Sequence, residues 1–257
     1  DMATPPSPWQ APPPAATPPS RTDTPAPETP PPAINRFQVR SARGPVVLVV
    51  VVAAVSGGVR FRPEGGWRAT VPWATLTVAA LTVATSVAGE LVPAVLHALE
   101  RDRTMLVAGQ WWRILTPLLV QDCGWAGTAF NTVTLLAVGA VAERVHGWRV
   151  LLGVYLTAGL LSEVAAYTVL PHQGFAGNSV ANLGLAGLCL VAFAWRGGRP
   201  LRALAVVGLL AGGILLVTGD LHGVGFTVGA LWGVTTHRPR AGVGAGRAGE
   251  SGASTRA

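Results

Sequence analysis

Lysine is absent from this 257-residue sequence: all 19 basic residues are arginine, and charged residues of every kind make up only 12% of the chain. A water-soluble globule carries about 25% charge, so an ordinary soluble enzyme is excluded. Half of the residues are apolar and the mean hydropathy is positive, which excludes disorder throughout. The two cysteines, Cys123 and Cys189, are too few for a disulfide framework and lack metal-ligand spacing. His97, His146, His172 and His237 make no HExxH-type pair, so neither a metalloprotease nor any other metal or cofactor is expected. The net charge of +7 does not point to nucleic acid, because the arginines lie between apolar runs rather than in patches. A basic segment leading into an apolar core, the pattern of a cleavable signal, is missing near the start of the sequence. The exclusive use of arginine suggests a GC-rich, bacterial coding bias.

What is present is a series of apolar runs between two polar tails. Residues 1–40 read as a disordered, solvated tail, with thirteen of the 21 prolines lying before residue 35. Such a composition cannot bury enough apolar surface to offset chain ordering, and a linker is a simpler reading of its PxxP-like pieces than a ligand for an SH3-type partner. Residues 41–69 hold an apolar run, Pro45 to Val59, shorter than the ~20 residues that cross a bilayer comfortably. It is read as an extra N-terminal transmembrane helix or a tilted interfacial one. Residues 70–237 contain six clearer spans, Val71–Gly89, Gly124–Ala142, Val150–Leu170, Ser179–Trp195, Leu201–Val217 and Leu221–Val234. Between the first two, residues 90–113 mix charge with Trp111-Trp112-Arg113 and read as an amphipathic or partly inserted segment. Residues 238–257 form a second disordered tail; its Gly244–Gly249 stretch matches GxGxxG but lacks the strand and helix of a nucleotide site. The expected fold is all-α and polytopic.

Arginine placement gives the orientation, because cytoplasmic loops are enriched in basic residues. Arg60, Arg62 and Arg68, then Arg144 and Arg149, then Arg196, Arg199 and Arg202, and finally Arg238 and Arg240 all fall on one side of the proposed membrane. The loops around 171–178 and 218–220 have none and are read as external. Arg101, Arg103 and Arg113 break the pattern. Trp148, Trp195 and Trp232 are read as interface anchors.

Function in such a protein is carried by the few polar groups held at depth, where each is costly. Asn131 lies within the second clear span, Glu163 within the third, Ser179 opens the fourth and His222 opens the sixth. Ser179 and His222 both follow arginine-free loops, so they sit near the same surface. A serine and a histidine meeting there form a nucleophile and its general base; a serine at a helix start is also a common N-cap. Gly177 lets the backbone approach beside Ser179, and Gly225 with Gly229 gives the last helix a GxxxG face for close packing. Asp220, two residues before His222, is read as an N-cap pointing elsewhere. Glu163 is expected to face the bundle interior or a wet cavity, and Glu143 to make a structural contact at a helix end.

These motifs, taken in order, resemble the rhomboid family of intramembrane serine proteases over roughly residues 70–237. The matching pieces are Gly109-Gln110-Trp111-Trp112-Arg113 with Leu115-Thr116-Pro117, Phe130-Asn131, Gly139 through Glu143, Gly177-Asn178-Ser179, and His222 with Gly225 and Gly229. The resemblance implies a six-helix core and a Trp112-Arg113 loop partly embedded in the outer leaflet. It makes Ser179 the nucleophile, His222 the general base, and Asn131 an oxyanion donor; the backbone N–H of Ser179 would be a second. Single-pass transmembrane proteins would be the substrates and a bacterial plasma membrane the location. Departures from the family pattern leave a second reading open: Gly127 stands where the family has an oxyanion histidine, Gln121 aligns with a further family histidine at the start of the second helix region, Val180 replaces a glycine and Leu183 a packing aromatic. That alternative is a catalytically inactive relative that binds or escorts transmembrane helices. A transporter is disfavoured, since no inverted repeat is evident and buried charge is sparse.

Overall fold

Proline and glycine set most of the helix boundaries. The computed structural model describes residues 43–61, 71–169 and 176–237. The Pro-rich tail, Arg62, Arg68, His172 and the tail from residue 238 lie outside the described residues. Helix α1 (Gly44–Arg60) opens with Pro45 in its first turn, and α3 (Pro93–Leu99) opens on Pro93, where a missing N–H costs nothing. Helix α2 (Trp73–Leu91) follows Pro72, which has no side chain to cap it. Glu143 caps it from another helix: its carboxylate accepts from the backbone N–H groups of Ala74 (3.1 Å) and Thr75 (2.8 Å) and from the Thr75 hydroxyl (2.7 Å). After the short α4 (Arg103–Val107) and two single turns of tighter helix come α5 (Gly124–His146) and α6 (Trp148–Val169). Between these two stands Gly147 at φ 89°, a left-handed conformation that suits glycine and reverses the chain in one residue. Helices α7 (Ser179–Arg196), α8 (Arg199–Val217) and α9 (Leu221–His237) complete the bundle.

Five of these helices, α2, α5, α6, α7 and α8, are long and apolar enough to cross a bilayer. Helices α1 and α9 have 17 residues each, about 25 Å at 1.5 Å per residue. The chain is thus a polytopic all-α protein whose first helix joins the bundle. Phe61, just past α1, packs its ring 5.0 Å from Phe193 of α7, and Val50, Ala53 and Ala54 are buried in the core. Helix α7 is the centre, buried on every side from Val180 through Phe193. Outward-facing Leu81, Val133, Leu156, Leu210 and Leu231 are exposed, as lipid-facing side chains are.

Hydrophobic burial cannot drive helices together inside lipid, so close packing of small residues does. Gly225 and Gly229 of α9 press against the backbone of α7: a Cβ at either would strike the carbonyl oxygen of Val180 or of Gly184. Exposed Trp73, Trp148 and Trp195 ring one end of the bundle, and Trp111, Trp112 and Trp125 the other. Trp232 differs from the interface anchor expected: it is partly buried and packs against the core, 3.2 Å from where a Gly153 Cβ would stand.

Candidate active site

Ser179 and His222 come together at the starts of α7 and α9, with the Ser179 Oγ 2.9 Å from His222 Nε2. The close α7–α9 packing holds both helix starts in register. On the other face of the imidazole, Nδ1 lies 2.6 Å from Asp220 Oδ1. This differs from the expectation that Asp220 points away. Asp220 does cap α9, accepting from the His222 backbone N–H at 2.9 Å. Because it precedes the helix, its side chain folds back over the first turn, and the spacing rules for residues inside a helix do not apply. One carboxylate oxygen thereby serves both the cap and the ring. An ionised carboxylate only accepts, so Nδ1 carries the proton and Nε2 presents its lone pair to the serine hydroxyl. Burial pushes the Asp220 carboxyl upward, but its contacts with His222, with a hydrogen bond from Arg43, prevail and hold it at about 2.

Asn131, on α5, reaches the same region through a chain of amides. Its Nδ2 donates to Gln121 Oε1 at 2.7 Å, and Gln121 Nε2 donates to Asn178 Oδ1 at 3.0 Å. Asn182 Nδ2, one turn into α7, donates to the Asn131 carbonyl at 3.1 Å and to Asn178 Oδ1 at 3.4 Å. Gly177 lies against both amides, its would-be Cβ 3.1 Å from Gln121 Oε1 and 4.0 Å from Asn131 Nδ2. Its N–H donates to the Pro117 carbonyl at 2.8 Å, which ties the loop entering Ser179 to the segment before α5. Gln121, Asn178 and Asn182 are all buried. Sequence reasoning passed over Asn182 and gave Gln121 and Asn178 no function. The signal was there in four amide side chains within or just before apolar helices, since buried amides must find each other.

Gly127, one turn before Asn131, leaves no empty space. A Cβ there would meet Cys123 Sγ and lie 2.6 Å from Cys123 Cβ, and Cys123 Sγ also stands 3.9 Å from Asn131 Nδ2. The loop preceding the site is knitted by buried polar contacts. Arg113 donates from Nε to Gln110 Oε1 (2.7 Å) and from Nη1 to the Glu100 carbonyl (2.7 Å), while Tyr167 donates to the Arg113 carbonyl (2.9 Å). Trp112 is exposed, its indole N–H donating to the Ala98 carbonyl at 3.2 Å. Glu163, 4% exposed, pairs with Arg101 at 3.2 Å, so a buried ion pair fastens this loop to α6. Glu143 stands at the far end of α5, where it caps α2.

A family model for the rhomboid domain matches residues 108–239. The chain belongs to the rhomboid family. Among curated relatives, this rhomboid is similar to Rhomboid protease GluP of Bacillus subtilis (strain 168), with 37% identity over 90 residues, 35% of this chain and 17% of that protein. It is also similar to Putative rhomboid protease YdcA of the same organism, with 31% identity over 86 residues, 32% of this chain and 41% of that one. The match thus spans less than half the length of either relative.

Proposed function

We propose that this rhomboid is an intramembrane serine endopeptidase that cleaves single-pass transmembrane proteins, with Ser179 as nucleophile and His222 as general base. The observation that carries the reading is the 2.9 Å approach of Ser179 Oγ to His222 Nε2, with the opposite ring nitrogen on Asp220. As Oγ bonds to the scissile carbonyl carbon, its proton passes to Nε2. The imidazolium faces the ionised Asp220. When the tetrahedral intermediate collapses, the C–N bond breaks and Nε2 returns the proton to the leaving amine; water, deprotonated by the same nitrogen, then hydrolyses the acyl-enzyme. Two donors suit the developing oxyanion: the Ser179 N–H at the positive end of α7 and the Asn131 amide. A side-chain amide nitrogen has two N–H groups: one is held by Gln121, and the other makes only a long contact with Cys123 Sγ at 3.9 Å, which a substrate oxyanion would displace. The end opposite the site carries most of the described arginines, which supports cleavage near the external face of a bacterial plasma membrane.

A second reading, a non-catalytic binder of transmembrane helices, draws on Cys123 occupying the space beside Gly127. Labelling by a fluorophosphonate probe in lipid separates the two. Wild-type protein is expected to label, and Ser179→Ala and His222→Ala to lose labelling while remaining folded. Folded wild type that stays unlabelled beside a labelled rhomboid control supports the binder, and labelling that persists in Ser179→Ala removes Ser179 as nucleophile.

A further inference from the structure

The charged line behind the serine does not stop at Asp220. Arg43, the residue from which α1 springs, places Nη1 3.3 Å from Asp220 Oδ2 and donates from Nη2 to the Thr218 carbonyl at 3.1 Å. The two Asp220 oxygens are therefore divided, Oδ1 facing His222 and Oδ2 facing Arg43. We propose that Arg43 is a positioning residue for the catalytic histidine, so that α1 completes a four-membered line Arg43–Asp220–His222–Ser179 across the site. This rests on the proteolytic reading given above.

A carboxylate on a short turn can rotate between capping its helix, orienting the ring and facing water. A guanidinium that grips one oxygen and the neighbouring carbonyl together removes that freedom, and its planar fork suits the task better than an ammonium. The Asp220 side chain is 12% exposed and that of Arg43 42%, so the pair sits at the rim of the bundle. Two side chains act on Asp220: the imidazole of His222 from its own turn and the Arg43 guanidinium at the start of α1. His222 in turn faces Asp220 and Ser179. Helix α1 is anchored at its other end, where Phe61 packs on Phe193, so the arginine is presented from a fixed helix.

Removing the cation leaves an unopposed carboxylate beside the ring, which favours the imidazolium and moves the acid limb of a serine-dependent rate to higher pH. Removing the carboxylate does the reverse. The test uses the full chain in lipid vesicles and the rate of fluorophosphonate labelling, measured against probe concentration and pH. Arg43→Gln is expected to lower the maximal labelling rate about tenfold, leave the half-saturating probe concentration unchanged and shift the acid limb upward. Asp220→Asn is expected to shift the limb downward, and Arg43→Lys to keep the wild-type limb with a smaller loss of rate. A purely structural role for Arg43 would lower thermal stability without moving the limb, and that result overturns the proposal. So does Arg43→Gln labelling at the wild-type rate and pH profile. If instead Ser179→Ala labels like wild type, the proteolytic reading itself fails.

Discussion

Cys123 and Gly127 are one decision made by two residues. The thiol fills the volume that a side chain at 127 would need, with Cys123 Cβ 2.6 Å from the Cβ position. Gly127→His alone therefore forces an overpacked helix start, which typically costs about 1–3 kcal/mol, and is expected to lower thermal stability without raising the labelling rate. Pairing it with Cys123→Gly opens the space, and the double variant is expected to label about tenfold faster or more than wild type, since an oxyanion donor is worth ~10²–10³ in rate at best. Equal rates in the double variant and wild type would mean that the Asn131 and Ser179 donors already suffice. That the thiol occupies this space was not readable from the chain, because a glycine in a family position reads as an absence until its neighbour is known. Ser179, His222 and Asn131 were readable, since each is a polar group at the edge of, or within, an apolar run. Arg43 was not: 177 residues separate it from Asp220, and its run looked too short to commit to the bundle.

Packing between α7 and α9 is where glycine chemistry and the site meet. Gly229 shares a helix face with His222 two turns away, and a Cβ on it would strike the Gly184 carbonyl oxygen. On α7, a Cβ at Gly187 would lie 2.5 Å from the Phe226 carbonyl oxygen and 3.0 Å from Ala230 N. Backbone against backbone leaves no flexible side chain to yield, so Gly229→Ala is expected to destabilise the protein by about 1–3 kcal/mol and to slow labelling by prising His222 from Ser179. Gly213, in α8, has nothing within 4 Å of its Cβ position, and Gly213→Ala should be neutral or stabilising by about 0.5–1 kcal/mol. Thermal unfolding of both variants in one detergent checks the contrast. The Gly225–Gly229 spacing announced a close-packed face, and α7 was the natural neighbour. Which atoms it meets was beyond a one-dimensional pattern; Glu143 was readable as a structural contact at a helix end, but not as the cap of α2, because a cap supplied by a different helix leaves no local signature.

Across the whole bundle, charge is divided between the two ends in a way that loop counting only half captured. Arg60, Arg144, Arg149, Arg196, Arg199 and Arg202 cluster at the end opposite Ser179. The arginines that broke the pattern are mostly not free loop charges: Arg101 and Arg113 are 2% and 5% exposed, the first on Glu163 and the second on Gln110 and the Glu100 carbonyl. Buried and partnered inside the protein, they do not meet the membrane surface as loop cations do, which strengthens the assignment of the site to the external face. Helix α1 then starts from the site side, as the Arg43–Asp220 pair requires. Single cysteines introduced into a Cys123→Ala background test this topology, the native Cys189 being fully buried. Thr218→Cys lies exposed on the site end and Gly198→Cys exposed on the arginine-rich end. In intact cells a membrane-impermeant maleimide should label Thr218→Cys at once and Gly198→Cys only after permeabilisation. The reverse order would turn the site to the cytoplasm, where the substrate segments within reach are those on the inner side of the membrane.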